Sequence, residues 1–230
     1  MTSLLKTGFA SLGVLILTAM VGFLPSLADA TPVQFVNGQI EGELTFGDKI
    51  FSNIRCVSQE INCDNLTADT VSSGGNAAIQ FAGAMGATAG NVADIQFFYT
   101  VRTNDDSDRI IGISGTIVGS GTPGTFASVA ESVFDPEDSN ALVGFISQTV
   151  GLDQADPAYE ADDMNLTGAF NILDVQKDVF IDARNAQEFG GASISIITQD
   201  FAQIPVPEPS VTILLGMALV GIFGLCRKMM

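Results

Sequence analysis

Asp105, Asp106 and Asp108 fall within one short polar stretch, and Asp135, Glu137 and Asp138 within another. Carboxylates so spaced in a turn can converge on a hard cation, and calcium is the ion they would hold. No EF-hand spacing accompanies them, so the plainer reading is a pair of solvated acidic turns; calcium apart, nothing asks for a cofactor. Two of the 3 cysteines, Cys56 and Cys63, bracket Val57 to Asn62. In an oxidising compartment such a pair closes a local disulfide, here at the tip of a hairpin, with two free thiols as the alternative. Zinc lacks ligands, because the chain has 0 histidines and its remaining cysteine, Cys226, lies near the C-terminus. Without histidine there is no Ser-His-Asp triad, no His-paired cysteine and no His-ligated metal. A two-carboxylate glycosidase stays formally open. The absence of Trp and the presence of only Tyr99 and Tyr159 among tyrosines argue against it, since sugar subsites use large aromatic platforms, although 16 Phe are available. Gly119 to Gly124 spells G-x-G-x-x-G, but Pro123 interrupts it and a strand pattern follows, so it reads as a turn rather than a phosphate loop.

The elements that must carry these residues are strands. Phe97, Tyr99 and Val101 share one parity within 95–101, and Ile111, Ile113 and Ile117 share one within 110–118. Val175, Val179 and Ile181 alternate with Gln176, Asp178 and Asp182, as in a half-exposed antiparallel strand. Further strands are expected at 33–37, 40–46, 54–57, 78–81, 126–134, 166–172 and 193–201. The separators are turn chemistry: 72–76, 104–108, 119–124, 135–138 and 190–191 supply glycine, proline or side-chain caps. Residues 156–164 are expected to form a loop or one short turn. Many short strands at this spacing predict an all-β fold, a single β-sandwich or jelly-roll.

Both ends differ from this body. Lys6 precedes an apolar stretch from Gly8 to Leu24, a helix-breaking Pro25, and Ala28-Asp29-Ala30. That pattern predicts a signal peptide over 1–30, with Ala28 and Ala30 at the cleavage site and Thr31 as the mature N-terminus. At the other end Pro207 and Pro209 flank Glu208, fixing φ and removing backbone donors, so this segment is extended and exposed. Val211 to Leu225 follows without a charge, about 22 Å of helix at ~1.5 Å per residue against roughly 30 Å of hydrocarbon. Snorkelling by Arg227 and Lys228 extends its reach, so a transmembrane helix is expected at about 211–226 with its basic end cytoplasmic. The body is therefore 31–204, and 205–230 forms a separate C-terminal signal.

The formal net charge is −17, and of the charged residues only Lys6, Asp29, Glu208, Arg227 and Lys228 lie outside 31–204. A body so acidic repels nucleic acid, which is excluded as a partner. Asn65-Leu-Thr67 and Asn165-Leu-Thr167 spell glycosylation sequons, to which no modification is assigned.

The C-terminal 26 residues resemble the PEP-CTERM sorting signal of exported bacterial proteins, with Pro207, Glu208 and Pro209 in the motif and Arg227-Lys228 in the basic cluster. The basic cluster has only two bases, and Met229-Met230 follow it. More loosely, the Phe51 to Cys56 segment and the Lys177 to Asp182 strand resemble the β-rich bodies of other such proteins. The resemblance implies Sec-type export, signal peptidase and an exosortase-type membrane enzyme as partners, and an inner-membrane-anchored precursor that reaches the envelope surface or the exterior. It also implies association with exopolysaccharide or biofilm matrix. The resulting expectation is a non-enzymatic structural or adhesive protein. A carbohydrate-binding module, with or without calcium assistance, and a carboxylate-based polysaccharide hydrolase are the alternatives.

Overall fold

The computed structural model describes residues 31–104, 108–152 and 158–205. The expected signal peptide, the expected tail helix and the sorting tail beyond Pro205, with Ala28, Ala30, Pro207, Glu208, Pro209, Arg227 and Lys228, lie outside them. So do Asp105 and Asp106.

Among the described residues twelve strands run in chain order: β1 (Val33–Gln34), β2 (Leu44–Phe46), β3 (Lys49–Ser58), β4 (Thr67–Ser73), β5 (Asn76–Thr88), β6 (Val92–Thr103), β7 (Asp108–Gly121), β8 (Phe126–Asp135), β9 (Ala141–Gly151), β10 (Ala158–Phe170), β11 (Ile172–Asp182) and β12 (Gly191–Pro205). They form two 6-stranded sheets, ordered β1-β4-β5-β12-β7-β10 and β2-β3-β6-β11-β8-β9. Strand pairing is antiparallel in both. From β5 onward the chain mostly crosses from one sheet to the other at each step, so partners in a sheet are distant in sequence and the two inner faces must be filled together. This is the expected all-β sandwich.

Alternation decides which side chains fill it. Ile95, Phe97, Tyr99 and Val101 of β6 are at most 2% exposed. Phe97 stacks on Phe81 of the facing sheet with ring centroids 4.3 Å apart, and Phe35, Phe51, Tyr99 and Phe201 extend the cluster. Each fully buried ring or aliphatic side chain contributes roughly 1.5–3 kcal/mol relative to exposure. The β4–β5 hairpin turns on Gly74 and Gly75, with φ of 58° and 89°. Two successive positive φ values make the primed turn that matches strand twist.

Several expectations are corrected. Residues 156–164, expected as a loop, contribute to β10, which pairs from Ala158↔Gly119 to Asn165↔Gly112. As an edge strand it tolerates Asp162, Asp163 and Asn165 and so lacks the alternation of an interior strand. β4 and β9 were not expected at all. The expected strand 166–172 breaks at Asn171, between β10 and β11. β7 runs through Gly121, so the glycine-rich turn begins only at Thr122, whose carbonyl accepts from Thr125 N–H at 3.2 Å. In β7 a register shift between Ile110 and Gly112 leaves Ile111 half-buried and turns Ile110 inward. The expected strands 33–37 and 40–46 shrink to β1 and β2, while 54–57 is the end of the longer β3.

Cys56 and Cys63 are disulfide-bonded, with Cα atoms 5.9 Å apart. The bond does not sit at a hairpin tip. Cys56 is in β3 and Cys63 opens a single 3-10 turn (Cys63–Asn65), so the bridge pins the passage from one sheet to the other.

Candidate functional site

A groove of about 720 Å³ opens on the outer face of the β2-β3-β6-β11-β8-β9 sheet. Its floor is built by register. Ser52, Thr100, Asp174, Phe134 and Leu142 stand opposite one another across five strands, and Arg55, Phe98, Gln176, Ser132 and Phe145 form the adjacent row. These are the outward residues of strands whose inward residues make the core.

A bulge in β3 shapes one wall. Two residues, Asn53 and Ile54, lie between Ser52 and Arg55 where Tyr99 alone lies between Thr100 and Phe98, and Asn53 absorbs the difference with φ of 55°. Asparagine tolerates this left-handed conformation better than most side chains. The bulge points Asn53 into the groove, where its Nδ2 donates to Thr100 Oγ1 at 3.3 Å. The Thr100 hydroxyl in turn donates to Asp174 Oδ1 at 2.7 Å. Arg55 lays its guanidinium 5.2 Å from the centre of the Phe98 ring, a cation–π contact that holds both flat. Gln39, Ile40 and Gly42 from the loop before β2, and Asn140 from the β8–β9 turn, complete the rim.

The lining is amphipathic and nearly neutral. Two phenyl rings, Phe98 and Phe134, offer apolar faces; Asn53, Gln39, Gln176 and Asn140 offer amides; Arg55 and Asp174 contribute one charge of each sign. Such a surface pairs stacked C–H faces and hydroxyl groups together. Further along the same face, burial and the neighbouring Asp94 carboxyl hold the Asp178 carboxyl above the usual aspartate range. A second depression, of about 530 Å³, is bordered by Gly86, Thr88, Ser120, Thr122 and Ser193 and has neither an aromatic nor a charged wall.

Asp108, Asp135, Glu137 and Asp138 do not line this groove, although Asn140 of the β8–β9 turn does. Asp135 ends β8 and its Oδ1 accepts from Glu137 N–H at 2.9 Å, a local turn bond, while Glu137 and Asp138 are exposed. Asp108 opens β7, in the other sheet. Among the described residues no three acidic, histidine or cysteine side chains gather as a metal site. The groove residues Asn53, Arg55, Phe98, Thr100, Asp174 and Gln176 escaped sequence reasoning. The signal that was present lay in the outward parity of β6, which was not read, and of β11, read only as half-exposed.

The family model of the PEP-CTERM protein-sorting motif matches residues 205–228. This chain carries a PEP-CTERM sorting motif. The PEP-CTERM motif marks an exported protein made as a membrane-anchored precursor and is associated with exosortase processing. Among the described residues no helix is long and apolar enough to cross a membrane; the tail helix expected at 211–226 lies outside them. No curated protein matches this chain. Among solved structures it is similar to the enzymatically active domain of bacteriophage CBA120 tailspike protein 4, at 13% identity and a TM-score of 0.35, covering 66% of this chain and 20% of that one. It is also similar to TmCBM61, solved with β-1,4-galactotriose, at 11% identity and a TM-score of 0.32, covering 67% and 89%. A third is TmCBM27, a mannan-recognising carbohydrate-binding module, at 8% identity and a TM-score of 0.28, covering 67% and 99%.

Proposed function

We propose that this exported protein binds a neutral polysaccharide strand in the groove over β3, β6 and β11, and that this binding fixes it in the extracellular matrix or at the envelope surface. Sec-type export, signal-peptidase cleavage after Ala30 and exosortase-type processing of the tail bring it there. The observation that carries the reading is the pair of cross-strand rows. Phe98, held flat by Arg55, and Phe134 present rings to sugar faces, beside a chain of polar groups from Asn53 through Thr100 to Asp174. Charges of opposite sign that nearly cancel favour hydroxyl-rich polymers over polyanions, which the acidic body repels.

The role is binding without turnover. Among the groove's lining residues Asp174 is the one carboxylate, and the Thr100 hydroxyl occupies it, whereas glycoside hydrolysis by two carboxylates needs a separated pair. A glycan array probed with the exported protein, with and without calcium, tests this. Saturable binding to neutral polysaccharides, lost in Arg55→Ala and indifferent to calcium, is expected. No saturable ligand would leave a purely structural body, and turnover of a polymer would make it an enzyme.

A further inference from the structure

Lys177 belongs to the inward row of β11, between Val175 and Val179, and is 1% exposed. It faces Glu131, its direct cross-strand neighbour on β8, which is 0% exposed. The two form an ion pair in the interior of the sandwich. From the facing sheet Gln199 of β12, also 0% exposed, reaches the same point, and Lys177 Nζ donates to its Oε1 at 2.8 Å. A carbonyl bond is ~1.23 Å long, so the amine nitrogen lies within about 4 Å of the Gln199 amide carbon. Purely apolar side chains would hold this position at least as well as a buried ion pair does.

We propose that Lys177 and Gln199 become joined by an intramolecular isopeptide bond that staples the two sheets together, with Glu131 moving the protons. In the dry interior the Lys177 ammonium passes one proton to the Glu131 carboxylate and becomes a neutral amine, the nucleophilic form. Its nitrogen attacks Cδ of Gln199, forming the new C–N bond. The proton released from that nitrogen passes to Nε2, the Cδ–Nε2 bond breaks, and ammonia departs. Ammonia then takes up the proton held on Glu131, so ammonium and amide have become amide and ammonium, and no oxidant, reductant or co-reactant is needed.

Three further features fit this chemistry. Glu131 Oε1 is buried without a hydrogen-bond partner, leaving a lone pair free for a proton. Burial raises the Glu131 carboxyl above the usual range, against the lowering effect of Lys177, which favours the protonated acid that the step requires. Gly115 lies opposite Gln199, and a Cβ there would stand 3.1 Å from Gln199 Oε1 and 3.5 Å from Gln148 Nε2, so glycine leaves room for the carbonyl to become tetrahedral. The departing nitrogen is loosely held, by a 3.5 Å contact to the Asp200 carbonyl. Fixed proximity of this kind replaces the high concentration that an uncatalysed transamidation would require.

Full-chain protein recovered from its own cells, denatured, reduced, digested with trypsin and analysed by tandem mass spectrometry tests the proposal. Lys177 should resist cleavage, and its peptide should be found joined to the one containing Gln199, about 17 Da lighter than their sum through loss of one ammonia. Lys177→Arg retains the buried cation and its Glu131 partner, so it should fold and yield only the two separate peptides. Recovery of wild-type protein with Lys177 cut and Gln199 intact would overturn the bond. A link that still forms in Glu131→Gln would overturn the role given to Glu131.

Discussion

Removing the disulfide by the double substitution Cys56→Ala and Cys63→Ala tests how this sandwich holds its entry strands. The bridge closes a ring with a sequence separation of 7. For so short a ring, loop-closure entropy gives about 2.5 kcal/mol at 25 °C. At roughly 2–4 °C per kcal/mol for a domain of this size, the melting temperature should fall by about 5–10 °C. The native structure should change little, because other bonds hold the same passage: Gly38 N–H to Asp64 Oδ1 at 2.9 Å, Cys56 N–H to the Gly38 carbonyl at 2.8 Å, and Leu66 N–H to the Cys63 carbonyl at 2.9 Å. The assay is a circular-dichroism melt of the variant beside the wild type in oxidising and reducing buffer. Reduced wild type should melt with the variant. A variant that melts within about 2 °C of oxidised wild type would refute the reasoning, since the ring would then constrain nothing in the unfolded chain.

Other outcomes follow from the same contacts. The Asp178 carboxyl is raised, by burial first and by Asp94 second, so it binds a proton more readily folded than unfolded; its contribution to stability falls as pH rises through the interval from the unfolded to the folded pKa. Asp178→Asn should therefore stabilise the protein at neutral pH and flatten that part of the profile, as read by urea midpoints across pH. Asp182 has the opposite sign: hydrogen bonds from Arg184 lower its carboxyl, so its contribution is complete above the unfolded pKa and disappears as pH falls through the folded one. Arg184→Ala should reduce that acid-side loss, leaving the part that comes from the residue-184 backbone N–H, which still donates to Asp182 Oδ1 at 2.9 Å, again in urea midpoints. Gly124 has φ of 87° and a Cβ there would lie 2.6 Å from the Asn185 carbonyl oxygen, so Gly124→Ala should lower stability by more than about 1 kcal/mol in chemical denaturation. Phe98→Ala should weaken glycan affinity about tenfold or more through loss of a stacking face and of the partner that flattens Arg55, with the melting temperature little changed because Phe98 faces outward.

The sandwich was legible in the chain because β6 and much of β11 alternate cleanly between core and solvent. β10 was not, because an edge strand with Asp162, Asp163 and Asn165 needs no such alternation. Lys177 hid the interior pair: a lysine on the inward parity of β11 makes sense only once Glu131 and Gln199, 46 and 22 residues away, are seen to meet it. The groove was illegible for a related reason. Arg55, Phe98, Asp174 and Phe134 come from four strands, and only the register between β3, β6, β11 and β8 makes them neighbours. The PEP-CTERM motif was the reverse case, since its residues are contiguous in the chain and need no fold to be read.

Hydrogen–deuterium exchange of the exported protein with and without a saturating neutral polysaccharide tests the binding groove most directly. Slowed exchange should be confined to the rim at 38–42, the β3 bulge at 52–55, and the facing segments 98–102 and 174–176. Protection confined to the acidic residues 135–138 or to the opposite sheet, or none with a polymer that demonstrably binds, would contradict the groove as the site.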